Sequence, residues 1–84
     1  MEDRKPFAPI NFETGRKPGQ WRTIGNTVAL AEWLLNEWTG DTDGEAYQTA
    51  LKVCLWVLDG QLPADDAREA FKASLTEAGL FFRE

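Results

Sequence analysis

The sequence predicts an α+β fold: an N-terminal β-hairpin followed by three helices, with a short extended segment at the C-terminal end. Three observations carry that expectation. Ile10 and Phe12 alternate with Asn11 and Glu13, the two-residue period of a half-buried strand. Residues 45–60 hold the longest apolar run, with Tyr47, Ala50, Leu51, Cys54, Val57 and Leu58 at the spacing of one helix face. Glycine and proline set that helix apart from two further periodic stretches, one before and one after it, which makes three helical segments in all.

Residues 1–6 are charged, end in proline and read as a flexible lead-in; residues 7–84 read as one small domain. The first strand covers residues 7–13, with Pro9 at its start or on an edge because it cannot donate to a ladder. Thr14–Gly19 has the composition of a turn, and Gln20–Ile24 is the return strand. Asn26 or Thr27 can cap a helix running from about Thr27 to Trp38. Its expected inner face is Leu30, Ala31, Leu34, Leu35 and Trp38, with Trp33 at the edge of that face. Gly40–Gly44 turns the chain, and Glu45 begins the central helix where a carboxylate suits the positive dipole end. Ala46, Val53 and Leu55 widen the apolar face of that helix, so neighbours are expected on more than one side. Gly60 stops it. Pro63 suits the first position of a third helix, whose apolar face includes Ala67, Phe71, Ser74 and Leu75, and Gly79 ends that helix. Leu80–Arg83 either adds a strand beside the hairpin or packs its two Phe over the core. The expected core is Leu34, Trp38, Leu51, Cys54, Leu58, Phe71 and Leu75.

Eighty-four residues leave a thin core, which four Trp and five Phe help to fill. A single Cys excludes an intrachain disulfide and, with no His, fits a reducing compartment. No stretch approaches a membrane span or a signal peptide, which makes the cytoplasm the expected location and a membrane partner unexpected. The net charge of −5 is uneven. Residues 1–24 carry five bases against three acids, and residues 25–84 carry four bases against eleven acids. An acidic body argues against general nucleic-acid binding, which draws its affinity from phosphate neutralisation.

Trp21-Arg22-Thr23-Ile24 leads into a helix with Leu34 and Trp38. Then follow Ala50-x3-Cys54-x3-Leu58-x-Gly60, Pro63-x3-Ala67-Arg68-x-Ala70-Phe71 and Glu77-Ala78-Gly79. In that order these residues resemble the small bacterial family known as domain-of-unknown-function family 982, over about Phe12 to Phe82. The resemblance implies these fold boundaries; the family has no established activity, so it supplies no catalytic residue. The family pattern has proline after the tryptophan that ends the first helix, where this chain has Thr39.

The residues offer little chemistry. Asp41-Thr42-Asp43-Gly44-Glu45 looks like part of a calcium loop, but with Gly44 at position 6 the required Glu at position 12 is Ala50. Cys54 sits on an apolar face with no base beside it, the setting of a structural thiol. Without His or a phosphate loop, no reaction centre, metal site or cofactor site is expected.

Two functions remain. The first is a non-enzymatic protein-interaction module, either homo-oligomeric or docking on another protein, with Trp56, Val53 and Thr49 as its contact face. The second is a small regulatory nucleic-acid binder using Arg16, Lys17 and Arg22 beside Trp21. The first turns on Trp56, which lies opposite the main apolar face. It is either covered by Leu80-Phe81-Phe82 or left as the centre of a contact surface.

Overall fold

The computed structural model describes residues 3–84. The hairpin consists of β1 (Pro6–Glu13) and β2 (Trp21–Asn26), antiparallel, with Ile10 opposite Ile24 and Phe12 opposite Arg22. The register shifts between Pro6 and Ile10, where Pro9 has no N–H to give the ladder. A two-residue strand, β3 (Phe82–Arg83), pairs with the other edge of β1 and puts Phe82 opposite Phe12. Of the two fates open to the tail it takes the strand, and the sheet order is β2-β1-β3.

The lead-in is tied before β1 begins. The carbonyls of Arg4 and Lys5 accept from the amide of Thr27, and the Thr27 hydroxyl also donates to Lys5 O. Thr27 is fully buried, so this clasp joins the chain start to the first helix. Met1 and Glu2 of the expected lead-in lie outside the described residues.

Helix α1 (Thr27–Asn36) is capped by Asn26, whose side chain accepts from Ala29 N at 2.8 Å. It ends two residues before Trp38. Thr39 then donates its hydroxyl to Thr14 O at 2.8 Å, a bond to the hairpin that a proline at this position could not make. Helix α2 (Glu45–Leu58) has no capping side chain of its own at Gly44. The carboxylate of Glu77, from the far end of the third helix, accepts from the amides of Ala46 and Tyr47 instead. A Cβ at Gly44 would meet that carboxylate, so a side chain there would push the cap aside. Helix α3 is Ala64–Glu77, with Pro63 as its N-cap rather than its first helical residue. The extended ψ of 153° at Pro63 keeps that residue out of the helix, and only its carbonyl joins, accepting from Asp66 N. Gly79 has φ +75°, and Leu80 N returns to Leu75 O, the six-residue closure that a left-handed residue at C′ permits.

Helices α1 and α3 lie on the sheet, and α2 packs against both. Glu77 at the end of α3 meets the start of α2, so the two run antiparallel. The centre of the core is therefore not α2. Phe12 from β1 meets Trp33 from α1 at 4.8 Å and Phe71 from α3 at 4.9 Å, both edge to face. Trp38 and Tyr47 extend this cluster as a stacked pair, and the Tyr47 hydroxyl donates to Leu34 O.

Leu34, Cys54, Phe71 and Leu75 are buried as expected. Trp38 and Leu51 are only partly buried, and Leu58 is exposed. Trp33 takes the central place expected for Trp38, while Leu35 is 67% exposed. The exposure along α2 has one cause: it rests on α1 and α3 from one side, so the wide apolar stripe expected to be covered on several sides is covered on one.

Candidate functional site

Large apolar groups meet solvent at the last turn of α2, Leu55 and Trp56 on its outer side and Leu58 at the open end of its packed face, and elsewhere at Leu35 and Phe81. Leu55 is 65%, Trp56 46% and Leu58 38% exposed, all within about one turn at the end of the helix. The reading of residues 45–58 placed Leu55 and Leu58 toward the core. It missed their exposure because a helical wheel shows which residues share a face but not which face a neighbour covers. Trp56 is not covered by the tail, because Phe82 and Arg83 are committed to the sheet edge.

Thr49, Val53 and Trp56 lie at i, i+4 and i+7 and share one flank of α2. Thr49 is exposed and, with Glu45, Ala46, Ala70, Ala73 and Glu77, lines an open groove of about 380 Å³ between α2 and α3. Val53 is partly buried and packs against the core. The three candidate residues thus form a strip: a groove wall at one end, an anchored valine in the middle and a half-open indole at the other end.

Charged residues flank Trp56 along the chain. Lys52 and Asp59 share the outer face of α2, and Asp65 and Asp66 open α3 just beyond the short connector; all four are exposed. The bases of α3 turn elsewhere. Lys72 bonds Glu84 at 2.7 Å and Glu69 at 2.8 Å, and Arg68 bonds Glu84 at 3.0 Å and donates to Ala8 O. Hydrogen bonds from Lys72 first, and then Arg68, hold Glu84 below the usual carboxylate range.

The basic hairpin is altered by a partner that the sequence did not suggest. Glu37, just past α1, accepts from Arg22 at 2.7 Å and lies 3.5 Å from Arg16. The two arginines line a cleft of about 180 Å³ with Thr14, Gln20, Trp21, Trp33 and Glu37, while Lys17 is exposed in the turn. On the other face of the sheet Arg83 lies over the Trp21 ring, 5.1 Å from its centroid. The patch is therefore partly neutralised, and the Trp21 ring already has a cation against it.

Burial pushes the Cys54 thiol up to about 12, far from the thiolate that a nucleophile needs. Asp41 spends a carboxylate oxygen on Asp43 N within its turn. Among the described residues, no group of three or more Cys, Asp or Glu side chains could hold a metal ion, and no helix is long and apolar enough to cross a membrane.

The class defined is a small α+β domain in which two helices cover a three-stranded antiparallel sheet and a third packs on them, with large apolar side chains open to solvent at the end of that third helix. The chain belongs to the family described as protein of unknown function (DUF982), whose model matches residues 8–82. No curated protein and no solved structure matches it.

Proposed function

We propose that this domain is a non-enzymatic protein-interaction module that docks a partner's basic amphipathic helix on the outer side of α2. The observation that carries the reading is the run of Leu55, Trp56 and Leu58, large apolar groups in contact with water on one short stretch of helix. Tryptophan is enriched among residues that carry binding energy, and a helix laid along another presents such anchors every three or four residues. Charge selects the occupant. Asp59 follows Trp56 by three residues and Lys52 precedes it by four, and Asp65 and Asp66 open α3 just past the connector, so the acids outnumber the base in this stretch and lysine or arginine at the partner's rim is favoured. A second copy of the same face is disfavoured: Glu45, Lys52 and Asp59 repeat every seven residues, and an antiparallel pairing centred on Lys52 sets Glu45 against Asp59 and Lys52 against Lys52. Nucleic-acid binding draws less support, because Glu37 already engages Arg16 and Arg22.

The test is an amide-resolved NMR titration with two synthetic amphipathic helical peptides, one with a lysine rim and one with a glutamate rim. The basic peptide should shift residues 49–58 and weaken as salt rises. Leu55→Ser should weaken it with little change in stability. Equal binding of both peptides would remove the charge argument. Silence at residues 49–58 with either peptide, or shifts confined to residues 16–22 on adding an oligonucleotide, would overturn the proposal.

A further inference from the structure

The second feature without a partner is the free edge of β2. Among the described residues the sheet order β2-β1-β3 leaves that edge unpaired, and Trp21, Arg22 and Thr23 along it are exposed. Which backbone groups it offers follows from the ladder. Thr14 N donates to Gln20 O, so the pair 14–20 is hydrogen-bonded. In an antiparallel pair bonded and non-bonded positions alternate, so Arg22 and Ile24 turn their backbone groups toward β1. Trp21 and Thr23, and by the same alternation Gly25, turn theirs outward. The other side of β1 agrees, since Glu13 N, out of phase with Thr14, bonds Phe81 O on the β3 side.

We propose that two copies of this chain join β2 to β2 in antiparallel fashion, with the twofold axis at Thr23, making one six-stranded sheet. Charge and hydrogen bonding together select this register. Outward residues must face outward residues, so the axis passes through a residue rather than between two. An axis at Arg22 would set the two Arg22 side chains directly opposite, the destabilising like-charge pair. An axis at Ile24 would leave Trp21 beyond the paired segment. The axis at Thr23 pairs Thr23 with its own copy and Trp21 with the partner copy's Gly25. Thr–Thr is a favourable cross-strand pair, and an aromatic ring across from a glycine covers backbone that the glycine leaves bare. Arg22 does not obstruct the edge, because its guanidinium is drawn to Glu37 at the end of α1. A joint of one short strand buries less than the roughly 800 Å² per partner of a standard interface, so the dimer is concentration-dependent. Docking at α2 is separate from this joint, and the dimer carries two such faces.

Sedimentation over a wide concentration range tests it, read with amide hydrogen exchange. The mass should rise from 9.5 kDa toward twice that value. In step with it, exchange should slow at Trp21, Thr23 and Gly25, while Arg22 and Ile24, already bonded to β1, should change little. Thr23→Lys places two ammonium groups at the axis and should raise the dissociation constant about tenfold, with the monomer's melting temperature nearly unchanged. Leu55→Ser should leave the dimer intact, so failure here and failure of the α2 reading give different results. A single 9.5 kDa species at every concentration, or a dimer that Thr23→Lys tolerates and Leu55→Ser dissolves, would overturn the proposal.

Discussion

Replacing Phe12 with alanine is the sharpest test of where this fold is centred. Phe12 has no exposed surface, and its ring touches Trp33 and Phe71 edge to face. Truncating a buried Phe to Ala costs about 3–5 kcal/mol in lost transfer energy and cavity. Each aromatic pair adds about 0.5–1.5 kcal/mol beyond its area, so the upper part of that range is expected here. At ~0.05–0.15 kcal/mol per residue, a chain of this length is stable by about 4–13 kcal/mol. Phe12→Ala should therefore leave the domain near its folding threshold. Urea unfolding followed by near-UV circular dichroism and tryptophan emission measures the loss, and Phe12→Leu supplies a milder variant if the alanine form does not fold. Leu58→Ala is the contrast. That side chain is more than a third exposed and should cost under about 1.5 kcal/mol, well short of a buried leucine. A Phe12→Ala loss below about 1 kcal/mol, or a Leu58→Ala loss that equals it, would refute the aromatic centre and return the core to α2.

Glu77→Ala should remove the cap of α2 and cost about 1 kcal/mol, visible as a lower melting temperature and faster amide exchange at Ala46 and Tyr47. Cys54 should resist alkylation until the domain unfolds. Because its folded thiol holds its proton up to about 12 while the unfolded thiol loses it near 8.5, stability should decline as the pH rises above about 8.5. Glu84 has the opposite sign: its depressed carboxyl contributes stability above the unfolded value near ~4.3, lost as pH falls through the folded value. Acid should thus release β3 first, with exchange rising at Phe82 and Arg83 before α2 opens, and Glu84→Gln should remove that pH dependence.

What the sequence determined alone is what local chemistry decides. The alternation at Ile10 and Phe12 gave the strand, because a pleat puts every second side chain on one face. Asn26, Gly60 and Gly79 gave helix ends, because a cap or a left-handed residue acts within a few positions of itself. The tail was open between strand and cover, since two residues carry too little pattern, and it was pairing with β1 that decided it.

Tertiary structure decided whatever joins residues distant along the chain. Residues 45–58 predicted a helix with a wide apolar stripe, but nothing in that stripe says which half is covered. The placement of α1 and α3 on the sheet, with α2 on them, buries Ala50, Cys54 and Val57 and leaves Leu55 and Trp56 in water. Glu77 reaches the start of α2 across 30 residues, and Glu37 reaches Arg22 across 15. Neither contact has a local signature, because a carboxylate near a helix end or a glycine turn is common on any surface. The same holds for the free edge of β2: a strand shows its own alternation in sequence, while the side of it that lacks a neighbour exists only once β3 has chosen β1.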